Sequence, residues 1–134
     1  MATPDIKEII TSYKTIAVVG LSPDEGKPSH EVASYLKRAG YRIIPVNPAC
    51  QEIFGERCYA TLAEVPDQVE IVDIFRRSEF VPEIVDQAIT KGAKVVWMQE
   101  GVVNEAAAAK AEAAGLAVVM DRCMLKEHVK LRSR

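Results

Sequence analysis

Residues 17–32 read AVVGLSPDEGKPSHEV, so an apolar run ends at Gly20 and is followed by Ser22, Gly26, Lys27 and Ser29. Glycine lets a backbone approach a ligand closely, while hydroxyls, lysine and the amides that open a helix all favour an anion. That is the chemistry of a phosphate cradle. Two nucleotide templates fit it poorly. A triphosphate loop needs GxxxxGK followed directly by Ser or Thr, yet five residues separate Gly20 from Gly26 and Pro28 stands between Lys27 and Ser29. Proline also removes an amide donor there. The dinucleotide pattern GxGxxG fails as well, because Ser22 and Glu25 occupy its second and third glycine positions. The acidic residue expected at the end of the second strand is replaced by Pro45-Val46-Asn47-Pro48. A phosphate-bearing ligand fits this loop, whereas hydrolysis of ATP or GTP and NAD binding of the usual kind do not.

The elements that must position such a loop follow from periodicity. Short apolar, β-rich runs alternate with helical segments, as in βαβ units whose parallel sheet is covered on both faces. Five strands are expected at Thr15–Val19, Arg42–Val46, Glu70–Phe75, Lys94–Met98 and Leu116–Met120. A helix over Ser29–Ala39 places Val32, Ala33, Leu36 and Ala39 near one face and stops before Gly40. Thr61-Leu-Ala-Glu64 reads as a capping box for a short helix, and Val81–Lys91 as an amphipathic helix ended by Gly92. Asn104 can cap the alanine-rich helix that stops at Gly115. Thr3-Pro4 resembles a cap followed by proline at the first helical position, so an extra helix is expected over Asp5–Ser12. The whole chain reads as one α/β domain over residues 1–134. Its expected architecture is a Rossmann-like, doubly wound, mainly parallel five-stranded sheet with helices on both faces, followed by a C-terminal tail at 124–134.

Composition narrows the function classes. The 134 residues are 49% apolar and 27% charged with a formal net charge of -2, an ordinary globular balance without the basic surface that nucleic acid demands. Cys50, Cys58 and Cys123 are an odd number without CxxC spacing, which argues against a disulfide framework or a zinc site and suits a reducing cytoplasm. No run reaches the roughly 20 apolar residues of a membrane span.

Ligands of doubly wound sheets bind outside the carboxyl ends of the strands. Those positions read Gly20-Leu21-Ser22, Asn47-Pro48, Arg76-Arg77, Gln99-Glu100-Gly101 and Asp121-Arg122. IAVVGLS with KPSHEVA, GYRIIPVNP, EIFGERCYATLAEVP, IVDIFRRSE, VVWMQEGVVNEAA and AGLAVVMDRCM occur in order over about residues 14–125. Together they resemble the stand-alone CoA-binding domain proteins, which are related to the N-terminal domain of the succinyl-CoA synthetase α subunit. The resemblance implies a Rossmann-like domain that binds coenzyme A across its strand ends. By that analogy Gly20, Leu21 and Ser22 approach the phosphates, with Lys27 supplying charge beside the nucleotide half. Asn47 and Pro48 border the adenosine, Phe75 and Arg76 close it, and Gln99 and Gly101 line the route of the pantetheine arm.

Each of these residues also has a purely structural reading as a turn, a cap or a solvated charge. His30 is expected to bond locally or face solvent, His128 to lie on a solvated helix face, and Cys123 and Trp97 to belong to the core. The synthetases require a phosphorylated histidine and nucleotide-handling domains found elsewhere in longer chains. The expected function is therefore non-catalytic binding of CoA or an acyl-CoA by a carrier, sensor or regulator. An oxidoreductase using an NAD(P)-type nucleotide, and an interaction module with a vestigial pocket, are the competing readings.

Overall fold

A computed structural model describes residues 5–132. Five strands, β1 (Thr15–Val19), β2 (Arg42–Val46), β5 (Ile71–Ile74), β6 (Val95–Met98) and β7 (Ala117–Val119), form a fully parallel sheet in the order β2-β1-β5-β6-β7. Every expected strand is present, each within about a residue of its expected limits. Counting only these five, the order is 2-1-3-4-5. The chain therefore reverses its winding direction between β1 and β5, and the carboxyl ends of those two strands flank a crevice.

Both faces of the sheet are buried, which explains the near-continuous Val/Ile runs. Ala17, Val19, Ile44, Val46, Val72, Ile74, Val96 and Met98 share a core with α3 (Val81–Lys91) and α4 (Glu105–Ala113). The alternate residues Ile16, Val18, Ile43, Ile71, Val95 and Trp97 face α1 (Ile6–Ser12), α2 (Pro28–Arg38) and α5 (Met124–Arg132). Helix α2 buries Val32, Ala33 and Leu36, the spacing read from the sequence, and Leu36 is fully enclosed. Full burial of such a side chain stabilises the fold by about 2 kcal/mol.

The stop and start signals act as their chemistry dictates. Gly92 closes α3 in the left-handed conformation, and Asn104 accepts from the Ala107 amide at 3.0 Å to cap α4. Thr61–Glu64 forms only a 3-10 turn over Leu62–Glu64, in which the Glu64 carboxylate accepts from the Thr61 amide at 3.2 Å. Pro66 follows too soon for another helical turn. Helix α1 is capped by Asp5, whose side chain accepts from the Glu8 amide, while Thr3 and Pro4 lie outside the described residues. The hairpin after β2 was not anticipated, nor was the packing of the C-terminal helix against the domain. A hairpin of β3 (Glu52–Ile53) and β4 (Glu56–Arg57) leaves the chain after β2, and residues 124–132 form helix α5 packed against α1 and α2.

Gly20, at the end of β1, has φ +90°, and a Cβ placed there would lie 3.2 Å from both the carbonyl carbon and oxygen of Phe75. Gly40 also has a positive φ, +106°, but open space around it. Gly20→Ala is thus expected to cost at least about 2 kcal/mol, from left-handed strain plus a backbone clash, and Gly40→Ala about 1 kcal/mol from strain alone. Urea denaturation of the two variants, with Gly20→Ala clearly the less stable, checks the close approach of β1 to β5.

Candidate functional site

At the switch point the backbone ladder continues past the strands: Gly20 donates to the Val46 carbonyl at 2.8 Å, and Phe75 to the Val19 carbonyl at 2.8 Å. Above them opens a hollow of about 530 Å³ lined by Gly20, Ser22, Lys27, Ser29, Phe75 and Gln99, with Pro28, Val32, Glu100, Val102 and Cys123 completing the wall. The volume falls in the range of small-molecule sites. Its apolar wall comes from α2 and from the segments after β5, β6 and β7; its polar end is the start of α2.

The loop joining β1 to α2 is held by its own side chains. The Ser22 amide donates to Ser29 Oγ at 3.0 Å, Ser22 Oγ accepts from the Asp24 amide at 3.0 Å, and Asp24 Oδ1 accepts from the Gly26 amide at 2.9 Å. Lys27 is the cap residue of α2, makes no side-chain cap bond and is followed by Pro28. The first turn of an eleven-residue helix therefore opens on the hollow beside an exposed ammonium group. That arrangement offers fixed partial charge and a mobile cation to an anion.

The remaining expected residues divide among neighbouring positions. Arg76 and Pro48 line a second hollow of about 100 Å³ with Phe80 and Thr61, and the Arg76 guanidinium lies 4.5 Å from the Phe80 ring centroid. Arg77 also stacks on Phe80, at 5.6 Å. A Cβ on Gly20 would come within 3.1 Å of Arg76 Cδ, so this hollow adjoins the first across that contact. Asn47 and Pro48 line a third hollow of about 440 Å³ with Cys50, Arg57, Cys58 and Tyr59. Asn47 also ties the loops together, donating from Nδ2 to the Leu21 carbonyl at 2.8 Å and accepting the Ala49 amide at Oδ1. The Leu21 side chain is fully buried, so only its backbone faces the strand-end loops. Gly101 is absent from the walls of these hollows; its amide donates to Asp121 Oδ1 at 2.8 Å, a turn that positions Glu100 and Val102.

His128 departs from its sequence reading, whereas Cys123 and Trp97 are buried as expected. Cys123 is buried yet contributes to the wall of the first hollow. His128 is half-buried: its Nδ1 lies 2.8 Å from Tyr35 Oη, and its ring meets Tyr35 and Tyr41 edge-on. Burial first, then Arg132 and Lys14, lower its pKa. His30 packs its ring 4.9 Å from Phe54, and Trp97 is fully buried with its indole donating to the Arg122 carbonyl at 2.8 Å. Burial, with the neighbouring Cys50 thiol, pushes Cys58 up to about 12.

Sequence reasoning missed Asp73. It lies within β5, opposite Val18 and Trp97, and is fully buried. Gln99 Nε2 donates to its Oδ2 at 3.3 Å, while its Oδ1 is buried without a partner. Burial raises its pKa well above 3.8, the Gln99 bond only partly opposing the shift. An unpaired buried polar atom costs about 1–3 kcal/mol. The lone Asp in IVDIF, an apolar run at the centre of the sheet, was the available signal.

The chain belongs to the CoA-binding domain family, whose model matches residues 14–129. It is 41% identical over 124 residues to the uncharacterized protein YneT of Bacillus subtilis, with 92% of each chain covered. It is 33% identical over 93 residues to ADP-forming acetate-CoA ligase II of Archaeoglobus fulgidus, matching 68% of this chain but 14% of that much longer one. A hypothetical protein from Pyrococcus horikoshii OT3 superposes with a TM-score of 0.93 at 45% identity, over 98% of this chain and 93% of that one. The dinucleotide-forming acetyl-coenzyme A synthetase 1 of Ca. Korarchaeum cryptofilum gives 0.75 at 25% identity, covering 87% of this chain and 28% of the other. The domain is thus related to a part of acetate-CoA ligases, and among the described residues no helix is long and apolar enough to cross a membrane.

Because folded Asp73 holds its proton more tightly than the unfolded chain, folding takes up a proton between the two pKa values. Stability from this group is then lost as pH rises from about 3.8 towards the folded value. Asp73→Asn is expected to flatten that decline, and urea denaturation at about pH 5 and about pH 8 checks it.

Proposed function

We propose that the protein binds coenzyme A or an acyl-CoA, without turnover, in the hollow at the switch point. The observation that carries this reading is the junction of an apolar wall with the open, cation-flanked start of α2 in a single strand-end hollow. Coenzyme A carries a pyrophosphate and a 3′-phosphate at one end and an uncharged arm at the other, so it needs both surfaces. Along the order β2-β1-β5-β6, Asn47 and Pro48 border the adenosine, Gly20, Leu21, Ser22 and Lys27 meet the phosphates, and Arg76 adds charge beside Phe75. Gln99 and the turn at Gly101 then border the pantetheine arm. Membership of the family and the likeness to acetate-CoA ligases support the ligand class.

The lining supports carriage, sensing or regulation. Its ionisable groups include Lys27, Glu100 and Cys123, with Glu100 engaged by Lys126 at 3.0 Å. His30 and His128 are committed to Phe54 and Tyr35 instead of activating Cys123. A cytoplasmic setting suits three free cysteines.

Calorimetric titration with CoA, dephospho-CoA and NAD tests the reading. CoA is expected to bind tightest, and Lys27→Ala with Arg76→Ala to weaken it by about tenfold or more, the effect of losing about 1.4 kcal/mol of charged contact. CoA binding unchanged by the double substitution overturns the site, and preference for NAD overturns the ligand.

A further inference from the structure

We propose that Asp73 is a positioning residue that locks the Gln99 side-chain amide so that its carbonyl faces the hollow as an acceptor for an amide N–H on the ligand's uncharged arm. This rests on the reading of the hollow as a CoA site and assigns one of its specificity determinants.

The geometry begins with the register. Val18, Asp73 and Trp97 are neighbours across β1, β5 and β6, and all three are fully buried. Two residues further along each strand, on the same face, stand Gly20, Phe75 and Gln99, all of which line the hollow. Asp73 therefore lies one pleat beneath the floor. An amide has a donor end and an acceptor end, and an inward partner decides which end turns outward. Gln99 Nε2 is taken by Asp73 Oδ2 at 3.3 Å. Gln99 lines the hollow, its Nε2 is turned inward to Asp73, and its Oε1 takes no bond within the protein without being a buried orphan, although the residue as a whole is 3% exposed.

Burial disfavours a charge on Asp73, which would have no counter-ion among Val18, Trp97 and the surrounding core. With or without the proton, Oδ2 can accept from Gln99 Nε2, the orientation that the structure shows. The ligand group follows from distance. Gln99 directly follows β6, two strand spacings or about 10 Å from the β1 end where the cradle would hold its anion. A diphosphate seated at Gly20 and the start of α2 does not span that gap. The uncharged arm does, and its amide N–H groups are donors that a glutamine carbonyl accepts.

The test is calorimetric titration of CoA and, separately, of adenosine 3′,5′-bisphosphate, into the unsubstituted protein and into Asp73→Asn, Asp73→Leu, Gln99→Leu and the Asp73→Leu/Gln99→Leu double variant. Asp73→Leu is expected to weaken CoA by about tenfold while leaving the bisphosphate unchanged. Asp73→Asn, whose carbonyl still accepts from Gln99, is expected to restore CoA to within about twofold. The double variant is expected to bind CoA no more weakly than Gln99→Leu alone, since the aspartate acts only through the glutamine. Protection of the Gln99 side-chain amide protons from solvent exchange, read by NMR without ligand, is expected in the unsubstituted protein and in Asp73→Asn and lost in Asp73→Leu. Additive losses, equal losses for the bisphosphate, or an Asp73→Asn variant as weak as Asp73→Leu overturns the positioning role alone. An unsubstituted protein that binds neither compound overturns the CoA reading and this role with it.

Discussion

The approach of Gly20 to the Phe75 carbonyl is the constraint on which the strand-end architecture depends. Two parallel strands whose crossovers leave in opposite directions must open a crevice between their carboxyl ends, but how that crevice is shaped depends on the residue that ends β1. A Cβ there would push on the backbone of β5 at 3.2 Å. With glycine, the β1 loop lies directly against Phe75 and Arg76, and the first two hollows adjoin at that point. The ladder bonds from Gly20 to Val46 and from Phe75 to Val19 keep the strand ends in register beyond the sheet proper.

From that junction the surroundings are graded. On the β1 side stand hydroxyls, a lysine and the first turn of α2; towards β6 and β7 Phe75, Val102 and Cys123 form an apolar wall interrupted by Gln99 and Glu100. The loop is braced by its own bonds through Ser22, Asp24 and Ser29, which tie it to the start of α2 without any ligand. A preordered cradle reduces the ordering cost of binding. Beneath the floor, Asp73 is the exception to an otherwise apolar row, and its orphaned oxygen is a local cost retained inside the most protected part of the sheet.

The parallel strands were legible because burial on both faces leaves runs of β-branched residues that helices rarely show, and Asn104 and Gly92 marked helix limits by capping chemistry. The same local logic missed whatever depends on register between distant segments. Val32, Val102 and Cys123 meet in one wall only because α2, β6 and β7 pack as they do. Asp73 was hidden inside a strand pattern that is correct in itself. The hairpin escaped notice because its turn, Phe54-Gly55, puts a phenylalanine at φ 56° where an asparagine or glycine would have signalled it. Helix α5, rich in charge, buries Met124 and anchors His128 through tertiary contacts that its own sequence does not announce.

The excursion that carries this hairpin returns to the sheet. Tyr59 bridges to Val46 in parallel, donates to the Pro45 carbonyl at 3.1 Å and accepts from the Asn47 amide at 2.8 Å. Strand β2 would otherwise present an outer edge to which another extended chain could add. Pro45 has no N–H to offer, and its carbonyl is already taken. A segment that frames a hollow on one side thus covers the carboxyl end of the β2 edge on the other, where an added strand would have to displace it.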